Sequence, residues 1–543
     1  MNLLQEKQRE IVNKLLELLK DKKQHNFSEI ENVLQLSKEN IDKLLEWACY
    51  KAKLINEIPK DPKNEYELSS DGEVVDIDKL DFSDLEIFKK EIELLQDPNL
   101  LLKVKIELDK LIIGNDKLKV ALWIKTFSRF RSRPILDIIV DDPSSGKSYI
   151  VKSILKFFEK DTDFKIITTA SQKSFYYFDE KWDSKILFLM EFQALDNETV
   201  PVFRDWFSEG WDLGLEHRTV DIKRNKLLLK LSKPPYCIIA TSDRNIEKQL
   251  GDRAWRNNVE KGFNQNNKIK EFEDLKRMKG IDNPDIKIDE TFKNIPKCLN
   301  TNLKIVIPFA KFINFPFMDK TRINRDIPKF YDFIELIALI HQYQRDVIEI
   351  DGKKYLIARL DDFYKAIYCG FEEFLTTMTE IDKDMNEVLD VLRQHEELTT
   401  KEVVKYGKFA YDKTYQILRQ LERSGIAGSE KIGRERTWLL VKDISKNEDI
   451  GQSDNLSKDG LKKIFSDVFK ESGLPNDDKL IENVLLYDKY YYDQIFINNG
   501  EKKPNVLLCF NQESNILLKN NQESKNNSQH LIKDRGENIV TTH

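Results

Sequence analysis

The sequence predicts an α/β fold built on a parallel sheet, with a smaller helix-and-hairpin domain on either side of it. Three observations support this class. The β-branched run ILDIIV at 135–140 is followed by a glycine-containing loop and by an amphipathic helical pattern at 148–158. Two further apolar runs, ILFLM and YCIIAT, have the length of buried strands. At both ends of the chain, short helical patterns are followed by a hairpin pattern.

The composition is that of a globular chain with more than one domain. The chain has 543 residues, of which 40% are hydrophobic and 34% are charged, and this length is too great for one core. The five cysteines and six histidines show no metal-ligand spacing, so we expect neither a zinc site nor a disulfide framework. A net charge of -6 excludes a uniformly basic surface but leaves a local basic patch open.

The N-terminal sequence carries no targeting signal that we can identify. No run of about 18 uncharged apolar residues occurs, and the first 19 residues combine acidic side chains with helical periodicity. We therefore expect neither secretion nor membrane insertion.

Residues 1–75 show a pattern of three helices and a hairpin. Apolar residues recur at helical spacing over 2–20 and 37–54, and a short helix is predicted to begin near Ser28. Two strand-like runs then flank a turn rich in Pro, Asn and Lys. The pattern resembles a winged helix, and a helical oligomerisation domain is the alternative. Residues 76–104 are predicted to form a linker and a connecting helix.

The loop after the first buried strand resembles a phosphate-binding loop. The pattern G-x-x-x-x-G-K-[ST] is met by Gly146, Lys147 and Ser148, but Asp141 occupies the position of the first glycine. In such loops, backbone N–H groups hold the phosphates, the lysine neutralises them and the hydroxyl binds Mg²⁺. Aspartate tolerates the left-handed backbone, so we expect Asp141 to open the cradle with its carboxylate directed away from the phosphates. The predicted nucleotide-binding residues of the loop are Asp142, Pro143, Ser144, Ser145, Gly146, Lys147 and Ser148, and Ser148 is the predicted Mg²⁺ ligand.

Polar residues end the next two buried strands. Glu191 follows the second strand and fits the acid that orients a water for attack on a nucleotide. Met190 stands where an aspartate that supports the metal is usual. The third strand ends in Thr241, Ser242 and Asp243, which are positioned to sense the γ-phosphate or the attacking water. Glu191 follows Lys147 by about 45 residues and Thr241 follows Glu191 by about 50, which favours one nucleotide-hydrolysing core.

Two arginines follow the third strand in the segment QLGDRAWRNNVE. Arg253 and Arg256 are candidate arginine fingers for the nucleotide of a neighbouring subunit.

Residues 105–378 resemble the AAA+ replicative helicases, specifically MCM-like proteins and their relatives in archaeal, viral or plasmid replicons. The resemblance is carried by LDKLIIGNDKLKVALWI, by DDPSSGKS, by FLMEF, by DRAWR and by a helical segment over 321–367. It implies a P-loop AAA+ ATPase core with a helical lid, ATP and Mg²⁺ as cofactors, and self-association into a hexameric ring. In the lid, Arg322 or Arg325 matches a sensor-2 arginine that contacts the nucleotide.

Between the second and third strands, two alternating runs flank DIKRNK. This segment resembles the presensor hairpin that such helicases insert into the ring channel to grip DNA. The alternative is a surface hairpin with solvated charges. The residues predicted to contact phosphates are Arg218, Lys223, Arg224 and Lys226.

Residues 383–443 give the clearer winged-helix pattern. Thr399 or Thr400 caps a short helix, a turn follows at Gly407, and a longer helix ends near Gly425. That longer helix places Thr414, Ile417, Leu418 and Leu421 on one face. The remaining residues read as a hairpin with a basic tip.

In helix-turn-helix docking, the start of the second helix faces the groove and the wing meets the backbone. A winged helix that docks on a protein, with a solvated charged face, is the alternative, and Glu430 and Glu435 favour it. The predicted DNA contacts are Lys408, Tyr411 and Lys413 at the helix and Arg434 and Arg436 on the wing.

These features predict an ATP-dependent DNA helicase or DNA-remodelling motor for replication of a mobile replicon. Its partners would be single-stranded or forked DNA and, through the terminal domains, replication proteins, in the cytoplasm of a prokaryotic or viral host cell. The alternative is a DNA-binding initiator or scaffold that binds ATP with little hydrolysis, which Asp141 and Met190 favour. Residues 444–543 are predicted to be a linker, a small helical unit and a polar tail.

Overall fold

The computed structural model describes most of the chain between residues 3 and 485. The described residues exclude the ranges 21–24, 37, 59–64, 70–79, 81, 83–84, 169–181, 193–198, 221–225, 243–247, 261–262, 279–286, 314, 316–322, 380–382, 396, 424–425, 433–434 and 441–457. The chain forms two compact units: the first comprises Met1–Ala254, Val259–Ile305 and Glu335–Leu356, and the second comprises Trp255–Asn258, Val306–Ile334 and Ile357–His543.

The helices are distributed along the whole described chain. They are α1 Leu3–Leu19, α2 Phe27–Leu34, α3 Lys38–Glu46, α4 Lys89–Leu95, α5 Leu100–Asp109, α6 Asp116–Lys125, α7 Lys147–Leu155, α8 Thr199–Glu209, α9 Lys248–Gly251, α10 Phe263–Met278, α11 Glu290–Cys298, α12 Ile323–Ile340, α13 Leu360–Thr379, α14 Lys383–Arg393, α15 Thr400–Tyr406, α16 Tyr411–Arg423, α17 Lys458–Glu471 and α18 Asp478–Val484. A π-helical turn covers Trp47–Lys51, and 3₁₀ turns cover Thr126–Phe130, Ala310–Phe312 and Gln342–Gln344.

The strands are shorter than the helices. They are β1 His25–Asn26, β2 Ile55–Ile58, β3 Glu65–Leu68, β4 Leu136–Val140, β5 Phe164–Ile167, β6 Ile186–Leu189, β7 Leu215–Val220, β8 Lys226–Leu231, β9 Tyr236–Thr241, β10 Trp255–Asn257, β11 Lys304–Val306, β12 Val347–Ile350, β13 Lys353–Ile357, β14 Leu398–Thr399, β15 Ala427–Ile432 and β16 Glu435–Leu440.

Four strands of the first unit form a parallel sheet in the order β4-β9-β6-β5. All six residues of β9 and all four residues of β6 are buried, as is usual for parallel strands covered on both faces. The apolar side chains of α8, including Phe203 and Trp206, pack into the core around Leu187 and Ile239. The α/β class predicted from the sequence is confirmed for this unit.

One charged residue interrupts the apolar run of β4. Asp137 is fully buried, and its two carboxylate oxygens have separate partners. Lys125 Nζ donates to Oδ1 at 2.8 Å, and the Tyr236 hydroxyl donates to Oδ2 at 2.7 Å. Burial, reinforced by the adjacent carboxylate, raises the pKa of Tyr236 well above its ordinary value. The buried carboxylate is therefore hydrogen-bonded by both neighbours, as a charge in a core requires.

The N-terminal segment of the first unit has the predicted alternation of helices and hairpin. Strands β1, β3 and β2 form a three-stranded antiparallel sheet in that order beside α1–α3. Asn26 begins α2 with a capping box, because it accepts the N–H of Glu29 while the Glu29 side chain accepts the N–H of Asn26.

Two buried polar side chains join this N-terminal segment to the residues that lead into α4. The Gln8 side chain donates to the Leu85 carbonyl at 2.6 Å, and the Asn40 side chain accepts the N–H of Phe88 at 2.9 Å. The region that the sequence analysis assigned to a linker thus packs, in part, against the first helices.

In the second unit, α14, α15 and α16 pack on a three-stranded antiparallel sheet of order β14-β16-β15. Thr399 forms a capping box with Glu402 at the start of α15. Trp438 of β16 is buried, and its indole N–H donates to Thr400 Oγ1 at 2.9 Å. The α16 face that the sequence places in the core is buried, with Thr414, Ile417, Leu418 and Leu421 between 0% and 2% exposed.

Across the described residues, none of the helices has the length and apolar character needed to cross a membrane.

Candidate nucleotide-binding site

The site begins with three strand ends at one edge of the parallel sheet. Val140 at the end of β4 pairs with Thr241 at the end of β9, and Leu189 at the end of β6 pairs with Ile239 of β9. Because the strands are parallel, the residues that follow them lie at the same edge. In doubly wound sheets the ligand crevice lies outside the carboxyl ends of the strands.

The phosphate-loop backbone has two residues in the left-handed region. Ser144 has φ of 65° and Gly146 has φ of 89°, whereas Asp141 is not among the residues with positive φ. The expectation that Asp141 opens the loop with a left-handed backbone is therefore wrong. The turn is made three residues later, by a serine, and at the glycine before α7.

Both the backbone N–H and the side chain of Asp141 form hydrogen bonds. Its N–H donates to the Thr241 carbonyl at 3.1 Å, which continues the pairing of β4 with β9. Its Oδ1 accepts the N–H of Asp142 at 2.6 Å, and the residue is only 4% exposed. One oxygen of the carboxylate is thus directed to the loop's own backbone.

Lys147 bends back over the loop. Its Nζ donates to the carbonyl oxygens of Asp141 and Asp142 at 2.8 and 2.7 Å and lies 3.4 Å from Ser145 Oγ. The positive charge of Lys147 therefore lies over the loop that immediately precedes α7. Ser148 is half-buried in the first turn of α7.

The loop has the features that a nucleotide's phosphates require. Helix α7 begins at Lys147 and so directs its first N–H groups toward the loop. A Cβ added at Gly146 would meet nothing within 4 Å, which leaves space for a ligand against the backbone. Among the described residues, no group of three or more His, Cys, Asp or Glu side chains could hold a metal by itself. Ser148 is the residue predicted from the sequence to hold Mg²⁺, together with phosphate oxygens.

The residues predicted to act on a bound nucleotide follow the neighbouring strands. Glu191 is exposed, two residues after β6, and Met190 before it donates its N–H to the Ile167 carbonyl at 3.0 Å. Thr241 is 3% exposed and lies on β9, between the strands that lead to the loop and to Glu191. The structure thus brings Lys147, Glu191 and Thr241 to one edge of the sheet.

The candidate arginines lie elsewhere along the chain. Arg253 follows α9 and donates from Nη1 to the Gln249 carbonyl at 2.5 Å in the first unit. Arg256 belongs to the second unit, where its N–H donates to Thr377 Oγ1 at 2.9 Å. Arg325 is exposed in the first turn of α12, and Arg322 lies outside the described residues.

A polar connection that was not predicted from the sequence joins Asn115 to Glu260. Asn115 precedes α6 and has φ of 53°. Its N–H donates to Glu260 Oε2 at 2.9 Å, and the Glu260 N–H donates to Asn115 Oδ1 at 2.7 Å. Tyr149 of α7 donates to the Leu111 carbonyl at 2.8 Å. The Gly-Asn pair at 114–115 was the available signal, since both residue types favour a left-handed backbone.

The loop, the helix that follows it and the parallel sheet define a P-loop domain. The family model described as "MTBMA_p00010 P-loop domain" matches residues 86–298, which is less than half of the chain. That match includes the phosphate loop, Glu191, Thr241 and both finger candidates, and it supports nucleotide binding. A search of curated proteins found no match for this chain.

Three of the five predicted DNA contacts of the second unit, Lys408, Lys413 and Arg436, are engaged in ion pairs. Lys408 lies 3.5 Å from Glu387 and Lys413 lies 3.0 Å from Asp384, so both lysines bridge to α14. Tyr411 is 49% exposed, and its ring is parallel to that of Tyr415. The Arg436 guanidinium lies 3.3 Å from Glu422 and donates to Ser429 Oγ at 2.8 Å.

The predicted DNA-gripping hairpin is described only in its strands. β7 and β8 are antiparallel, with Arg218 opposite Leu228 and Val220 opposite Lys226. The tip, with Lys223 and Arg224, lies outside the described residues, as does Arg434 on the wing.

Proposed function

We propose that this chain is an ATP-dependent motor that acts on DNA during replication of a mobile replicon. The observation that carries the proposal is the placement of Thr241 on the strand between those that lead to the phosphate loop and to Glu191. A site that only holds a nucleotide needs the loop. Hydrolysis also requires an acid and a hydroxyl at the same edge, so that a water can be activated and oriented to attack the γ-phosphate.

Each residue of the candidate site has a separate role in this proposal. The loop N–H groups and Lys147 hold the phosphates, and Lys147 exchanges its carbonyl partners for phosphate oxygens when the site fills. When bound through Ser148, Mg²⁺ neutralises charge on the phosphates. Glu191 accepts the proton of the attacking water while Thr241 orients it. Arg253 stabilises the charge on the γ-phosphate of a neighbouring subunit within a hexameric ring.

The second unit contributes a DNA-binding function in this proposal. The arrangement of α14, α15 and α16 with the β15–β16 hairpin supports a winged helix, in which the start of α16 enters a groove. The Tyr411 and Lys413 side chains lie at that end of α16. The β7–β8 hairpin supports a role in gripping the backbone of single-stranded or forked DNA through Arg218 and Lys226.

The second candidate is a DNA-binding initiator or scaffold that binds ATP and turns it over slowly. Met190 favours it, because a thioether at the position before Glu191 cannot support a metal as a carboxylate does. Asp141 favours it as well, because it adds a buried acid to the phosphate loop.

An ATPase assay with and without single-stranded DNA separates the two candidates. We expect DNA to stimulate wild-type turnover and Glu191→Gln to bind ATP but lose turnover by a factor of about 10² or more, the size typical of a lost general base. Lys147→Ala is the control that loses binding itself. Wild-type turnover that equals that of Glu191→Gln would exclude the motor and leave the scaffold.

A further inference from the structure

The first position of the phosphate loop is held by a set of contacts that a glycine could form only in part. Asp141 donates its N–H to the Thr241 carbonyl at 3.1 Å and accepts the Lys147 ammonium on its own carbonyl at 2.8 Å. Glycine would keep these two main-chain contacts. The third contact, from the Asp142 N–H to Asp141 Oδ1 at 2.6 Å, belongs to the side chain alone.

The side-chain contact lies where the backbone is not left-handed. Glycine at the first position normally allows the chain to turn with positive φ, but Asp141 has no positive φ, and the left-handed residues of this loop are Ser144 and Gly146. The Asp141 side chain accepts the N–H of the next residue, which fixes the orientation of the Asp141–Asp142 peptide relative to that side chain. The start of the loop is therefore held by a carboxylate, and the left-handed residues Ser144 and Gly146 come later.

The same carboxylate changes the electrostatics of the site. Asp141 is 4% exposed, so water screens its charge poorly. It belongs to the loop that would hold the phosphates, and like charges at short range repel strongly in a medium of reduced dielectric constant. The Asp142 N–H also donates to Asp141 Oδ1, whereas the backbone N–H groups of a phosphate loop usually donate to the phosphates.

We propose that Asp141 is a positioning residue that sets the affinity of the phosphate loop. Its carboxylate shapes the start of the loop by holding the Asp142 N–H, and its charge weakens the binding of nucleotide phosphates, of ATP more than of ADP. The proposal rests on the nucleotide-binding function proposed above.

Two substitutions separate the hydrogen bond from the charge. Asp141→Asn keeps an oxygen that accepts the Asp142 N–H and removes the charge, whereas Asp141→Gly removes both. Glu209→Gln removes the same charge from an exposed residue at the end of α8 and is the matched control. Thermal unfolding of each full-length variant shows whether it folds as the wild type does.

The first measurement is the Kd of fluorescent N-methylanthraniloyl ATP and ADP with Mg²⁺. We expect Asp141→Asn to bind the ATP analogue on the order of tenfold more tightly than the wild type, with a smaller gain for the ADP analogue. Glu209→Gln should stay within about twofold, since its charge is exposed. An unchanged or raised Kd for Asp141→Asn, in a wild type that binds, overturns the proposed effect of the charge.

The second measurement is hydrogen exchange over residues 141–146 without nucleotide. We expect exchange to be faster in Asp141→Gly than in the wild type and unchanged in Asp141→Asn, because only the glycine variant frees the Asp142 N–H. Equal exchange in all three proteins overturns the positioning role. If the wild type and Lys147→Ala both fail to bind nucleotide, the proposed function fails instead, and hydrogen exchange still tests Asp141.

Discussion

Lys125 and Asp137 form a buried ion pair, with 2.8 Å between Nζ and Oδ1 and neither side chain exposed. Lys125→Met should lower the free energy of unfolding of the first unit by about 3–5 kcal/mol, because it leaves a buried carboxylate without its cation. Urea unfolding followed by tryptophan fluorescence measures this loss. The double variant Lys125→Met with Asp137→Asn removes both charges and should lose less than the single variant. An equal or larger loss in the double variant would contradict the ion-pair interpretation.

Lys147→Ala should abolish binding of the ATP analogue while the thermal unfolding curve stays close to that of the wild type. The ammonium contacts the loop carbonyls of Asp141 and Asp142, so we expect its charge to matter chiefly when phosphates are present. Lys152→Ala, an exposed residue on the same helix, is the control and should bind normally. Normal binding by Lys147→Ala would remove the assignment of this loop.

Neutralising Lys223, Arg224 and Lys226 together should weaken DNA binding and reduce its salt dependence. Each lost phosphate contact lowers the slope of log K against log salt by about 0.9 on duplex DNA and about 0.7 on single strands. Titrations at several salt concentrations measure the slope. An unaltered slope in the triple variant would make the β7–β8 hairpin an ordinary surface feature.

Arg253→Ala should retain ATP binding and lose hydrolysis, since the guanidinium is proposed to act on the nucleotide of a neighbour. Arginine fingers contribute about 10³ to 10⁵ in rate, so a tenth of that effect is measurable. Mixing Arg253→Ala subunits, which keep their own loop, with Lys147→Ala subunits, which keep their arginine, should restore part of the activity.

Full turnover by Arg253→Ala alone would move the role to Arg256 or to another residue. No recovery in mixed assemblies, once their formation is verified by light scattering, would remove support for action between subunits.

Glu422→Gln should strengthen DNA binding by the second unit. Glu422 pairs with Arg419 and Arg436, and its loss frees a guanidinium for a phosphate, which raises the salt slope by up to about 0.9. A hydrogen bond from Ser429, together with both arginines, lowers the pKa of Glu422 below its ordinary value. The carboxylate is thus ionised throughout the assay range, and the gain should be the same at about pH 6 and about pH 8. Weaker binding by Glu422→Gln would favour a protein-docking role for this unit.

The parts of the fold that depend on local pattern were predictable from the sequence. The buried face of α16 follows from apolar spacing along one helix, and the loop before α7 follows from residues within a few positions of one another. The order of the parallel strands was not predicted, because nothing local indicates that β9 pairs with both β4 and β6.

The errors and omissions at the candidate sites have a tertiary origin. Aspartate tolerates a left-handed backbone, but Asp141 does not adopt one. Its Oδ1 accepts the N–H of Asp142, and Ser144 has the positive φ instead. The pairs Lys413–Asp384 and Lys408–Glu387 join residues of different elements, so a sequence pattern shows the cations without their partners. Lys408 and Lys413 can contact DNA phosphates only if these ion pairs break.

The central position of β9 has a consequence for synthesis of the chain. β4 finds its partner β9 only after roughly 100 further residues have been made, and β6 also lacks its neighbour on that side until then. Contacts of such long range form slowly, and unpaired apolar strand edges in a nascent chain are prone to associate with other chains. A chain that ends before residue 236 therefore carries Lys147 after β4 and Glu191 after β6 but lacks β9, the strand that joins β4 to β6. We expect such a truncated chain to aggregate and to bind no nucleotide.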